Sequence, residues 1–165
     1  MKKLLLLLLT CTLSSFAMEM PKQNLKKRTY DAVEPKYTEP YFRTDTKALC
    51  IDALLNQTHV GEIQYFSING LGRISLMKVS ESYRKLGIGF NLFKDAIDDL
   101  YIRGCSAIIW DAVTPVHKDI LELQSIYQHM VNKLKTSMDL DFVCGSVKKT
   151  AELNAIPMKI IIKRA

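Results

Sequence analysis

Hydrophobic and polar positions follow two different periods along the chain, and the change of period marks out its elements. Ala48–Leu55 and Val60–Ile68 are rich in apolar and β-branched residues and read as strands, with Asn56-Gln57-Thr58 as the turn between them. Asn69-Gly70-Leu71-Gly72 is a second turn signal. Arg73–Val79 comes next as a third strand. Strict alternation puts Ile74 and Leu76 on one face and Met77 and Val79 on the other. These three strands predict an antiparallel meander.

The period then lengthens. Phe90, Phe93, Ile97, Leu100 and Tyr101 recur every three or four residues, which predicts a helix from about Gly87 to a stop at Gly104. Ala107–Val113 is an apolar run interrupted only by Asp111, as in a buried parallel strand. Asp119–Leu134 is a second amphipathic helix, with Ile120, Leu123, Ile126, Tyr127 and Met130 on one face. Leu140–Cys144 and Met158–Ile162 read as the last strands. The order strand, strand, strand, helix, strand, helix, strand, strand predicts an α/β fold of the α+β kind, a mixed sheet with helices on its faces.

The first 17 residues stand apart. Met1-Lys2-Lys3 is a basic start, Leu4–Leu13 is mostly leucine, and small residues stand at Ser15 and Ala17. This is the pattern of a secretory signal peptide. It predicts a chain that is exported or tethered to a membrane, or cytoplasmic if the leader does not function. Residues 18–47 hold Pro21, Pro35, Pro40 and the cluster Lys26-Lys27-Arg28, without apolar periodicity, and read as a polar tether. Tyr30, Tyr37, Tyr41 and Phe42 are the tether residues that could dock onto the folded domain, residues 48–165.

Composition narrows the classes. The chain has 165 residues and is 48% hydrophobic, enough for one ordinary core. No apolar run reaches the roughly 18 residues that spanning a bilayer requires. Cleavage after Ala17 would leave 21 basic against 17 acidic residues, a net charge of +4, too mild to argue for nucleic acid. Of the four cysteines, Cys50, Cys105 and Cys144 would remain, an odd number that leaves at least one unpaired.

The stretch that carries chemistry is Leu76–Gly89: a strand, a short polar loop, then Arg84-Lys85-Leu86-Gly87-Ile88-Gly89 opening a helix. Glycines allow close approach to the backbone, and free amides at a helix start favour an anion. Arg84 and Lys85 add positive charge. The turn therefore reads as a diphosphate cradle. A P-loop would need Gly-Lys-Ser/Thr after four spacer residues, which is absent, and a dinucleotide fingerprint would need a third glycine where Leu92 stands.

Here the sequence resembles the GNAT superfamily of acyl-CoA N-acyltransferases. Arg84, Gly87 and Gly89 match its signature of Arg or Gln, two residues, Gly, one residue, Gly or Ala. The apolar strand before the loop, Tyr83 before the arginine, Gly104 at the helix end and the strand Ala107–Trp110 match its context. More faintly, Ile126-Tyr127, Asp141-Phe142 and Met158-Lys159-Ile160 resemble later family segments, so the likeness runs from Ala48 to the end.

The resemblance implies an acyl-CoA N-acyltransferase-like fold, with a mostly antiparallel sheet and helices on both faces. It implies transfer of an acetyl group from acetyl-CoA, without a metal, to an amine on a small molecule or protein. Met77, Lys78 and Val79 would hold the pantetheine arm, and Arg84, Lys85, Leu86, Gly87, Ile88 and Gly89 the diphosphate. Tyr127 is the candidate catalytic residue, donating a proton to the leaving thiolate; its alternative role is a core tyrosine. Three departures accompany the match. Arg73 stands where many members carry a glutamate base, with Glu62 as a weak substitute. Ile120 replaces the family's asparagine. Only about 30 polar residues precede Ala48, where the family has a strand and two helices. His59, His117 and His129 show no metal-ligand spacing. The alternative is a non-catalytic exported module on the same fold that binds CoA or a protein.

Overall fold

Two tight hairpins organise the first half of the domain. The computed structural model describes residues 34–115 and 118–163. The expected leader and the tether up to residue 33, Tyr30 included, lie outside the described residues. Strand β3 (Ala48–Leu55) turns through Asn56 and Gln57 into β4 (Thr58–Ile68), which turns through Asn69 and Gly70 into β5 (Leu71–Val79). Both turns have two consecutive residues at positive φ, 49° and 64° in the first and 50° and 77° in the second. That geometry matches the right-handed twist of the flanking strands, and Asn and Gly tolerate it best. All three strands are antiparallel.

Two short strands precede them. β1 (Lys36–Tyr37) and β2 (Tyr41–Arg43) both pair with β3. Part of the stretch read as a polar tether is thus held to the sheet. Tyr41 donates to Asp52 at 2.8 Å, and Asn91 donates to the Tyr37 hydroxyl at 3.0 Å. Phe42 stays 60% exposed and does not dock.

After β5 come a 3₁₀ turn (Glu81–Tyr83) and helix α1 (Ile88–Ile102). The helix ends at Gly104, φ 86°, with Gly104 N–H bonded to Tyr101 C=O and Cys105 N–H to Leu100 C=O, each at 3.0 Å. This is a Schellman motif, and its left-handed backbone favours glycine at that position. β6 (Ala107–Pro115), α2 (Ile120–Leu134), β7 (Leu140–Cys144), β8 (Lys148–Lys149) and β9 (Leu153–Ile162) complete the domain. The Asp119 side chain caps α2 by accepting from Leu121 N–H at 2.8 Å.

The sheet order is β1-β3-β4-β5-β6-β9-β7, with β2 beside β3 and β8 beside β9. Only β5 and β6 run parallel. Alternation sorts the side chains. Ile108, Trp110 and Ala112 of β6 and Ile156, Met158 and Ile160 of β9 are buried. Phe93 of α1 and Tyr127 of α2 both meet the Trp110 ring, at 5.5 and 5.4 Å between centroids. Both helices therefore cover the same face. The opposite face, where the resemblance implied further helices, carries none among the described residues, and Leu71, Leu76, Val113 and Ile161 are exposed there. Cys50 and Cys105 are buried thiols, Cys105 lying 3.3 Å from the Ser67 hydroxyl, and Cys144 is half-buried.

Candidate active site

The site begins with a change of phase in β5. Gln64 of β4 faces Leu76 and Tyr65 faces Ile74, so Ser75 is an extra residue, a β-bulge. The strict alternation expected from the sequence does not survive it. Ile74, Met77 and Val79 share the helix-covered face, while Leu76 and Lys78 stand on the other. Ile74 is 7% exposed and Leu76 38%.

Beyond the bulge, β5 leaves its neighbour. The parallel ladder to β6 consists of Leu71–Ala107, Gly72–Ile108 and Arg73–Ile109 only. Past it, β5 stays paired with β4 up to Val79, and β6 stays paired with β9 up to Pro115. A wedge opens between the two strands. Ser80 N–H bonds to Val60 C=O at 2.9 Å. Backbone groups alternate direction along a strand, so Lys78 and Leu76 also bond toward β4. The backbone groups of Met77 and Val79 face the wedge, with no strand partner on that side. Arg84 Nε donates to the Val79 carbonyl at 3.3 Å, which ties the adjoining loop to this edge. Lys78, grouped with Met77 and Val79 from the sequence, is set apart from them: it pairs with Glu62 and its side chain stands on the other face.

The loop delivers the other expected donors to the same place. Lys85 and Gly87 have φ of 64° and 80°. Gly87 is the residue before α1 and supplies no side-chain cap. The first helical bond runs from Asn91 N–H to Gly87 C=O at 3.1 Å. The amides of Ile88, Gly89 and Phe90 therefore precede the helical ladder. No acidic residue occupies the first turn, so the helix dipole, Arg84 and Lys85 all favour an anion. The space in front is open. A Cβ added at Gly87 would meet nothing within 4 Å, and one at Gly89 would meet only Val79 Cγ2 at 3.6 Å and Met130 Cε at 3.7 Å. A diphosphate fits this cradle. Leu86 is exposed, whereas the Ile88 side chain belongs to the core, so only its amide can serve.

Tyr127 sits on the helix-covered side of the wedge. Its ring packs against Phe93 at 5.8 Å and Trp110 at 5.4 Å. Trp110 is the first β6 residue beyond the ladder to β5. Burial pushes the Tyr127 phenol up to about 12, so it stays protonated near neutrality, as a proton donor must. It is both a core tyrosine and a candidate acid. Ile120 is buried and offers no polar group.

The helix-free face holds features that sequence reasoning missed. A pocket of about 880 Å³ opens where β5 and β6 part. Its lining is mostly apolar, with Arg73 and Asp111 as its charges. Glu62 is not part of it: Arg43 and Gln64 donate to its carboxylate at 2.9 and 3.2 Å. Asp52, His59 and Glu62 bring their ligand atoms within 4.8 Å of one another. Spacing along the chain hides this cluster, because the β3–β4 register creates it by setting Asp52 opposite Glu62. Arg43 and Tyr41 already engage its two carboxylates. His129 is exposed on α2, and His117 lies outside the described residues. A second depression of about 410 Å³, around Lys135–Leu140, touches none of these groups.

The sequence model of the acetyltransferase (GNAT) family matches residues 16–121. No curated protein matches the chain. Several solved structures share its fold. A Bacillus subtilis acetyltransferase in complex with CoA superposes with a TM-score of 0.58 at 14% identity, over 79% of this chain and 100% of that one. The ribosomal-protein-S18-alanine N-acetyltransferase of Escherichia coli gives 0.54 at 16% identity, over 72% and 71%. A Bacillus anthracis protein assigned as a streptothricin acetyltransferase, in complex with acetyl coenzyme A, gives 0.54 at 18% identity, over 70% and 63%. The chain thus spans less than two thirds of that last protein. At such identities the structural likeness concerns the fold.

Proposed function

The chain belongs to the acetyltransferase (GNAT) family, and from that premise we propose that it is an N-acetyltransferase, moving an acetyl group from acetyl-CoA to an amine. The observation that carries this reading is the wedge. It leaves the Met77 and Val79 amides without a strand partner on that side, and the uncapped start of α1 lies beside them, a Cβ at Gly89 standing 3.6 Å from Val79 Cγ2. Acetyl-CoA supplies the activated acyl thioester. The chain's own groups do the rest. Met77 and Val79 amides donate to the pantetheine arm and to the carbonyl where negative charge develops. Ile88 and Gly89 amides, with Arg84 and Lys85, hold the diphosphate. The Tyr127 hydroxyl gives its proton to the departing sulfur.

Calorimetric titration of the purified chain with acetyl-CoA tests this. Micromolar affinity is expected, about −8 kcal/mol. Gly89→Trp fills the cradle and should abolish binding in a protein that still folds. Unchanged affinity in that variant would refute the assignment. A second reading, a binding module without turnover, is favoured by one observation: Arg73 stands in the pocket where many family members carry a glutamate. It predicts acetyl-CoA binding with no product on any amine.

We also propose that residues 1–17 are a secretory leader. Its test is the mass of the chain recovered from expressing cells, which should be short by those residues; an intact Met1–Ala17 would overturn it.

A further inference from the structure

The pocket on the helix-free face carries two charges that the donor site does not use. Arg73 and Asp111 are both exposed, and neither takes part in an ion pair or side-chain hydrogen bond among the described residues. Arg73 pairs in register with Ile109, and Asp111 stands two positions further on, on the same face of β6. The two residues stand on different strands, roughly 8 Å apart at the backbone from strand rise and strand spacing. The ladder between the strands ends at this point, and both residues line the one pocket. Around them lie Phe66, Leu71, Ile109 and Val113. The volume, about 880 Å³, is that of a small-molecule site.

One cation and one anion, unpaired and side by side in an apolar lining, form the complement of a zwitterion with an apolar body. We propose that the acceptor is a free α-amino acid with an apolar side chain, its carboxylate held by Arg73 and its ammonium by Asp111. A peptide N-terminus or a lysine side chain has an amine but no neighbouring carboxylate, so it would gain nothing from Arg73. The position suits the chemistry. Asp111 lies on the strand that forms one side of the wedge, and the Met77 amide faces the same wedge from the other. The transfer step itself rests on the acetyltransferase reading. The ammonium gives up a proton, which leaves through Asp111 to solvent. The freed nitrogen lone pair forms the new C–N bond, the C–S bond breaks, and the sulfur takes up a proton from Tyr127. The amide nitrogen sheds its second proton, which restores Tyr127 through solvent. In sum, an ammonium and an acetyl thioester give an amide, a thiol and one proton.

Binding can be tested without the donor. The full chain is titrated with phenylalanine, phenethylamine and 3-phenylpropionate, which differ only in which charged group is present. Phenylalanine should bind at least tenfold more tightly than either partial analogue. Arg73→Gln should bring its affinity down to that of phenethylamine, and Asp111→Asn down to that of 3-phenylpropionate. Circular dichroism of the same variants reports whether the fold is intact, and acetyl-CoA titration whether the donor site is. Equal affinity for all three ligands, absence of phenylalanine binding, or persistence of the preference in a folded Arg73→Gln protein would each overturn the proposal. None of these results depends on acetyl-CoA binding, so failure of the donor assignment is seen separately.

Discussion

Gly87 and Gly89 sit two residues apart in the same motif, yet the structure predicts opposite consequences for adding one methyl group to each. Gly87 has φ 80°, and a Cβ there would meet no atom within 4 Å. Crowding is therefore absent, and the cost of Gly87→Ala is that of the backbone alone. For an L-residue held in the left-handed region that cost is about 1–2 kcal/mol. Gly89 is the second residue of α1, outside the left-handed region, and its Cβ would make ordinary contacts at 3.6 and 3.7 Å. Gly89→Ala should stabilise by about 0.4–1 kcal/mol, because alanine loses less chain entropy on entering a helix. For a chain of this length those figures correspond to a fall in Tm of about 2–8 °C and a rise of about 1–4 °C. Urea denaturation gives the free energies, and acetyl-CoA titration reads the effect on the cradle. Gly87→Ala should weaken binding, because relieving the strain turns the neighbouring amides out of the cradle. Gly89→Ala should bind nearly as the parent does. Gly87→Asn should recover part of the loss, since asparagine tolerates this backbone region. A Gly87→Ala protein as stable as the parent, or a destabilised Gly89→Ala protein, would refute the reasoning.

Three further outcomes are expected. Burial favours the neutral Tyr127 phenol, so its stabilisation is complete below the ordinary tyrosine value of 10.0 and is lost as pH rises through about 12. Denaturation between pH 8 and 12 should show an alkaline loss of up to about 3 kcal/mol that Tyr127→Phe removes, together with lower kcat in that variant at neutral pH. Asp99 accepts from the buried Tyr65 hydroxyl at 2.8 Å and pairs with Arg103 at 2.6 Å. Asp99→Ala should cost about 1–3 kcal/mol in urea denaturation, with Asp99→Asn costing less. A Cβ at Gly72 would stand 2.9 Å from Leu100 Cδ1 and 3.0 Å from Ile108 Cγ1. Gly72→Ala should therefore overpack the junction of β5 with β6 and lower stability by about 1–3 kcal/mol, read from the urea midpoint.

Much of the fold is legible in the sequence where local pattern and tertiary burial agree. Helices α1 and α2 begin and end within a residue or two of the places that the apolar spacing, Gly104 and Asp119 indicate. Strands β3 and β7 coincide with their apolar runs. The misses have tertiary causes. β2 and β8 are too short and polar to show a period, and exist because β3 and β9 offer them hydrogen bonds. The phase of β5 is hidden because nothing in Ile74-Ser75-Leu76 marks Ser75 as unpaired; the bulge is a property of its pairing with β4. At the site, the loop Arg84–Gly89 is legible because its donors are consecutive. The pocket is not, since Arg73 and Asp111 are 38 residues apart in sequence and only the parallel register makes them neighbours. Lys78 illustrates the converse: adjacency to Met77 and Val79 in sequence suggests a shared role that alternation denies.

The extra residue at Ser75 also divides the strand into two independently adjustable tools. Upstream of it, β5 presents Arg73 to the pocket; downstream, it presents the Met77 and Val79 amides to the wedge. The upstream contribution is made by a side chain and the downstream one by the main chain, so replacing residue 73 retunes what enters the pocket without touching the grip on the donor. A drift in acceptor preference can thus proceed by single substitutions. Deleting Ser75 would instead remove the bulge while leaving Leu76 opposite Gln64 and Met77 opposite Ile63, so the facing on either side would survive and only the local bend between the two tools would be lost.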